Sequence, residues 1–338
     1  MRENINYDKN KNYWITFIKP FNNTVSMNEI SEFQQKCYMQ NVFGMGWNYC
    51  DNNKFLDIQK KAKEFIKLNK DKNKIRELYK KFFNKSADSA LRDFLNIEIG
   101  DYVITRLLDG NYYIGKVSEK AEPCNIEFIS RFSWYCKVEE WKKFNKNNLP
   151  GHIIGRMSQR RHSTIQRIAT NSDDNAIIKH FIYNLYHNTM KKSYIKINLD
   201  NFTSTLSSID LEDLVYAYII EKHKDYVLYP SQCKKNEIKY EFDLVNKTDT
   251  NKHITCQVKN KNIVKYNDYL NDAKDKNKFE KIYLFSGLKG DGYGCIDEKD
   301  NKIIPIARNE LYEFLISKES DNVVLNILKE KLKIFYLF

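Results

Sequence analysis

The 338-residue chain has no CxxC pair, no apolar run long enough to span a bilayer, no apolar leader stretch behind Met1 and no internal repeat. Its seven cysteines (37, 50, 124, 136, 233, 256 and 295) are odd in number, and the six histidines do not join them at ligand spacing. A zinc knuckle and a disulfide framework are therefore not expected, and a reducing cytoplasm is the expected compartment. The missing apolar segments point to a soluble protein with no membrane partner. GxxxxGK[ST] and GxSxG are also absent, which argues against a P-loop and a serine nucleophile elbow.

What is present is basic charge. Lys and Arg number 56 against 44 Asp and Glu, a formal net charge of +12 with a pI near 9.1. That excess favours a polyanionic partner, nucleic acid first. It is densest over 54–85, where twelve Lys/Arg meet four Asp/Glu. Phe55, Ile58, Ala62 and Phe65, then Ile75, Leu78 and Phe82, recur there at helical spacing. Two amphipathic helices follow, whose lysine faces are either solvated or set against phosphates.

Elsewhere the first half has strand period. Asn12–Lys19 and Val42–Trp47 are apolar and extended, with a helix over Glu29–Met39 between them. From Ile97, a hairpin opens at Gly100-Asp101 and turns at Asp109-Gly110. SRFSWYCKVEEWKKF adds one or two strands, so a mostly β, α+β small barrel is expected. Leu149-Pro150-Gly151 ends the pattern. The Arg156–Arg167 stretch after it, with Arg160 and Arg161, reads as connector, strand or DNA contact.

Ser172 and Asp173 can cap a helix running to about Met190, which places a domain boundary near 170 and gives domains 1–170 and 171–338. A helix from Asp210 follows, with Leu211, Leu214, Val215, Tyr218 and Ile219 inward. Strands are expected at Tyr226–Tyr229, 239–245, 253–260 and Lys281–Ser286. A polar helix over Ile263–Phe279, a strand pair around Cys295 and Ile303–Ile306, and helices Asn309–Ile316 and Val323–Phe335 complete an α/β layer. GLKGDGYG (287–294) reads as a loop beside the site rather than a phosphate cradle.

Strand phase makes Tyr240–Asn260 the candidate site. Glu241, Asp243 and Val245 share one face of the first strand; Thr255, Gln257 and Lys259 share one face of the second. Phosphodiester hydrolysis at neutral pH needs a divalent ion, and Mg²⁺ takes one or two carboxylates plus other oxygen ligands. Asp243 supplies a carboxylate, and Gln257 or the Val258 carbonyl a second ligand. Lys259 can orient or deprotonate the attacking water, or offset transition-state charge. Glu212, off the apolar stripe of its helix, reaches the same ion directly or through water, and Glu241 is an accessory ligand or a solvated residue. A surface salt bridge between strands would spell the same letters.

Glu212 in LEDLV, Asp243 in YEFDLV and Gln257-Val258-Lys259 in CQVKN together resemble the PD-(D/E)xK nuclease superfamily. The QxK form is similar to its Mrr-like restriction endonuclease branch, over roughly 207–338. Two departures are Glu241-Phe242 in place of glycines before the motif Asp, and a long gap from Asp243 to Gln257. The resemblance implies a restriction-endonuclease-like mixed sheet flanked by helices, Mg²⁺ or Mn²⁺ as cofactor, DNA as substrate and a homodimer for double-strand cleavage. In the first half, Trp14, GMGW and IEIGDYVITR…YYIGKV resemble PUA/EVE-like readers of modified bases, with an SH3-like barrel as the competing fold. That likeness implies a slot for a flipped base walled by aromatics, with Trp47, Tyr113 and Trp134 as candidates and Trp14, Tyr112 and Trp141 as further aromatic surface; packing is the alternative role for each. The function implied is modification-dependent restriction of foreign DNA. An RNA-cleaving defence effector and a non-catalytic DNA-binding protein with a degenerate nuclease fold are the alternatives.

Overall fold

A computed structural model describes residues 5–18, 26–47, 52–68, 71–124, 132–158, 164–169, 172–190, 194–229, 240–275, 279–290, 292–297, 299–317 and 321–337. The chain is mixed α/β and divides into two compact units. One comprises Ile5–Leu149 and Arg156–Lys192; the other comprises Pro150–Gly155 and Ser193–Phe338.

In the first unit the elements run β1 (Tyr13–Thr16), α1 (Met27–Met39), β2 (Val42–Trp47), α2 (Asn53–Lys67), α3 (Lys72–Tyr79), α4 (Lys85–Phe94), β3 (Tyr102–Arg106), β4 (Tyr112–Val117), β5 (Glu122–Pro123) and β6 (Phe132–Phe144). Then come α5 (Gly151–Ser158), β7 (Ile165–Arg167) and α6 (Asp173–Tyr186). The sheet order is β2-β6-β4-β3-β1-β7, with β5 also on β6. No ladder joins β2 to β7 among the described residues. β1 pairs parallel with β3, and the other ladders are antiparallel.

Polar residues cap the helices where the sequence supplies them. Ser26 and Glu29 form a capping box on α1, and Asn52, Asp71, Asn84 and Ser172 cap α2, α3, α4 and α6. The basic 54–85 stretch holds the two expected helices, and α4 follows as a third. Its signal was present: Ala87, Ala90, Leu91 and Phe94 are its buried stripe.

One sequence expectation shifts here. Ser172 does begin a helix, but α6 belongs to the first unit, so the division falls near 192 rather than 170. The reason is aromatic packing: Tyr102 on β3 meets Tyr183, Tyr186 and His187 edge-on, and its hydroxyl lies 2.7 Å from His187 Nε2. Of the one or two strands expected over 132–144, a single long one forms.

The second unit contains β8 (Ile195–Lys196), α7 (Phe202–Thr205), α8 (Ser208–Lys222), β9 (Tyr226–Leu228), β10 (Phe242–Asn246), β11 (His253–Lys259), α9 (Leu270–Lys274), β12 (Lys281–Ser286), β13 (Ile303–Pro305), α10 (Arg308–Ile316), α11 (Val323–Lys333) and β14 (Tyr336–Leu337). The sheet order is β13-β12-β11-β10-β9, parallel from β11 to β13 and antiparallel from β11 to β9. β8 and β14 form a separate short parallel ladder.

Ser207 caps α8, and the five apolar residues expected inward are all buried. The expected polar helix over 263–279 contracts to a 3-10 turn (Tyr266–Tyr269) and α9. Tyr266, Tyr269 and Ala273 pack there against Ile282, Leu284 and Ile303 of the sheet. Residues 294–296, around Cys295, are not strand, and only Ile303–Pro305 of that expected pair forms one. The first half of α5 packs with this unit, where His152 Nε2 lies 2.6 Å from the Thr205 carbonyl.

Candidate active site

The antiparallel ladder of β10 and β11 pairs Phe242 with Cys256, Asp243 with Thr255 and Leu244 with Ile254. The Glu241 amide continues it, donating to the Cys256 carbonyl at 2.8 Å. Glu241 is therefore the residue beside Gln257, and Asp243 stands two residues further along the same face. Because side chains alternate at period two, this register decides which carboxylate meets the lysine.

Glu241 occupies the centre. Its Oε1 accepts from Gln257 Nε2 at 2.5 Å and from Lys259 Nζ at 3.3 Å. Gln257 is 5 % exposed. Its Oε1 lies 3.4 Å from the Tyr269 hydroxyl, and its Nε2 lies 3.3 Å from the Val258 carbonyl. Glu212, in the first half of α8, completes the group electrostatically. Burial pushes its pKa up to about 7, with Glu241 and Asp213 adding to the rise and Lys259 opposing it. Like charges crowded at low solvation favour protonation of one partner, and Glu212 is the one that takes the proton.

Asp243 is held differently. Its Oδ2 lies 3.1 Å from His253 Nδ1, while its Oδ1 is buried with no hydrogen-bond partner. Burial raises its pKa, and the His253 contact only partly offsets that. Of the four sequence candidates, Glu212, Gln257 and Lys259 thus share one electrostatic cluster with Glu241, and Asp243 flanks it. The accessory role expected for Glu241 becomes the central one. Tyr269 and His253 are supporting residues that a search for acids and lysines does not find. His253 was detectable only as a second polar group near Asp243 in the hairpin.

These residues fit a hard divalent ion. Carboxylate, carboxamide and carbonyl oxygens are the ligands Mg²⁺ and Mn²⁺ take, and the partnerless Asp243 Oδ1 is an oxygen such an ion would satisfy. Rotating the Gln257 amide by half a turn would bring Oε1 beside Glu241, while the Tyr269 hydroxyl could then accept from Nε2. Among the described residues no three His, Cys, Asp or Glu side chains close into a cage. Mg²⁺ keeps several waters and does not need one.

In the first unit, the aromatic candidates pack into its core. Trp134 is fully buried, edge-on to Tyr79, and Tyr113 is 1 % exposed with its hydroxyl donating to Asp109 at 2.7 Å. Both belong to the buried hydrophobic cluster of this unit, and their surface is spent on packing. Trp14 likewise is buried and donates from Nε1 to Asp101 at 2.8 Å. Trp47 pairs through its backbone with Phe132; its side chain, Arg160 and Arg161 lie outside the described residues. No helix of the described residues is long and apolar enough to cross a membrane. No protein-family model, curated protein or solved structure matches the chain.

Proposed function

We propose that the second unit is a divalent-metal-dependent endodeoxyribonuclease with a PD-(D/E)xK core of the Mrr-like QxK kind. The observation that carries this reading is the grouping of Glu212 on α8, Glu241 immediately before β10, and Gln257 and Lys259 on β11, beside the Asp243 oxygen that has no hydrogen-bond partner. A bound Mg²⁺ or Mn²⁺ would supply polarisation of the phosphoryl oxygen and an activated water. Glu241, Asp243, Gln257 and the Val258 carbonyl are its candidate ligands, with Glu212 reaching it directly or through water.

The chain's own residues do the rest. Lys259, tethered to Glu241, places a positive charge where the phosphorane oxygens gain negative charge. Tyr269 fixes the Gln257 carboxamide, and His253 fixes Asp243.

The first unit is proposed as the part that selects the DNA, as a PUA/EVE-like or SH3-like module. With Tyr113 and Trp134 in its core, a modified-base slot would have to be built from other residues. The biological role proposed is cytoplasmic, modification-dependent restriction of foreign DNA, with a homodimer for double-strand cuts.

Supercoiled phage DNA with and without modified bases, and RNA in parallel, should be incubated with the protein in Mg²⁺, Mn²⁺ or EDTA. Metal-dependent nicking lost in Lys259→Ala is the expected outcome. RNA cleavage alone would move the reading to an RNA-directed effector. Inertness on every substrate, with no metal binding by calorimetry, would leave a non-catalytic nucleic-acid binder.

A further inference from the structure

Across the sheet from β11, the C-terminal ends of β12 and β13 border a cavity of about 470 Å³. It is lined by the ends of both strands (Ser286 and Ile306), the glycine loop (Leu288, Gly290, Gly292, Tyr293), Leu199 and Asp200, and the start of α10 (Ala307, Arg308, Asn309). The loop is pressed tightly onto the strand ends. A Cβ on Gly287 would stand 2.3 Å from the Asn260 carbonyl oxygen, and one on Gly292 would stand 2.5 Å from Ser286 Oγ. Backbone can lie this close only because those side chains are absent.

Arg308 gives the cavity its chemistry. One guanidinium nitrogen, Nη2, donates to the Leu199 carbonyl at 3.2 Å and to Thr203 Oγ1 at 3.3 Å, and the group sits 5.6 Å from the Phe202 ring centre. Nε is buried and has no partner. No salt bridge to Arg308 occurs among the described residues. Asp200, the carboxylate among the described lining residues, acts on Arg308 through its charge and is engaged by Lys289 Nζ at 2.9 Å on the exposed rim. Ala307 precedes α10 with no side-chain cap, so the first amides of that helix also lack a side-chain acceptor. A guanidinium anchored on one side and short of acceptors on the other matches the oxygens of a phosphodiester.

Position gives the site its role. Lys259 registers with Ser286 on the parallel β11–β12 ladder, and β13 lies one strand beyond. At about 4.8 Å per strand the α10 start lies roughly 10 Å from the Lys259 end of β11, along the strand-end crevice where open α/β sheets bind ligands.

We infer that this cavity, with Arg308 as its positioning residue, is a second backbone-phosphate subsite that holds the DNA strand beside the Glu241–Lys259 cluster. The inference rests on the nuclease reading for the identity of the strand, but its test does not require cleavage.

The full chain should be titrated with a fluorescent DNA duplex in EDTA at 50 to 200 mM salt, for wild type, Arg308→Ala and Asn309→Asp. Losing one phosphate contact lowers the log–log salt slope by about 0.9, so the affinity ratio between 50 and 200 mM salt shrinks about 3.5-fold. Both variants should show that loss. Asn309 is exposed in the first turn of α10, where an acid is favourable to the helix. Asn309→Asp therefore tests the site even if Arg308→Ala unfolds. Wild-type slopes in a folded Asn309→Asp protein would overturn the subsite. A reduced slope in a protein that never cleaves would retain the subsite and remove the nuclease.

Discussion

Asp243→Asn separates function from stability, because the wild-type carboxylate is costly where it stands. One oxygen is tied to His253 and the other is buried without a partner, and burial holds the acid's pKa above the ordinary range. A buried polar group left unsatisfied costs about 1–3 kcal/mol. The Asp243 side chain retains 15 % exposure, which puts the expected cost at the low end. Asn keeps the shape and the acceptor for His253 while removing the charge. In EDTA at pH 7 it should match the wild type or gain about 1 kcal/mol, which for a unit of this size is about 2–4 °C in Tm. Mg²⁺ should then raise the wild-type Tm by mass action and leave the variant unmoved. Plasmid nicking should fall at least about 100-fold, the scale on which loss of one electrostatic catalytic group is felt. Differential scanning calorimetry with and without Mg²⁺, paired with a nicking assay, reads both quantities. A variant that melts well below the wild type in EDTA would make Asp243 a structural residue. A variant that nicks normally would remove it from the site.

Glu241→Gln should lose nicking as fully as Asp243→Asn, although its sequence position marks it only as accessory. Its stability should change by no more than about 1 kcal/mol, since the Lys259 pair is 42 % and 28 % exposed and solvent-screened; urea melts and the nicking assay check both. For Glu212, a folded pKa near 7 against about 4.3 unfolded means the folded protein keeps a proton that the unfolded chain releases. Metal-free stability should thus decline as pH rises from about 4.3 to 7, and Glu212→Gln should stabilise at pH 8 but not below pH 4.5. His187 and His223 have the opposite sign: burial lowers both pKa values, so their contribution is present above about pH 6.5 and is lost as pH falls towards the folded values. His187→Gln should flatten that acid limb in pH-dependent melts. Trp134→Ala should cost about 3–5 kcal/mol as a core truncation, whereas selective loss of modified-DNA binding at unchanged Tm would return it to a reader role.

The chemistry of the site was legible in the letters, but its pairing was not. Strand period placed Glu241 and Asp243 on one face of the first strand and Gln257 and Lys259 on one face of the second, and alternation alone carries that information. The phase cannot say which acid meets the lysine, because shifting the hairpin by two residues preserves every face. The long turn between β10 and β11 leaves both registers open, and the ladder resolves them in favour of Glu241. Long-range contacts were equally hidden: Tyr269 on Gln257, and α6 on β3, join residues that local propensity treats as unrelated.

The sequence by itself determined most of the element types, the basic charge, the buried stripe of α8 and the candidate donors, because period and residue chemistry are local properties. Tertiary structure alone decided that Trp134 and Tyr113 are core, that α6 belongs with the first unit and that Leu288, Gly290, Gly292 and Tyr293 line a cavity with Arg308. An aromatic, a helix or a glycine loop has the same local pattern in either role. Only what packs against it determines whether its surface faces a neighbour or a ligand.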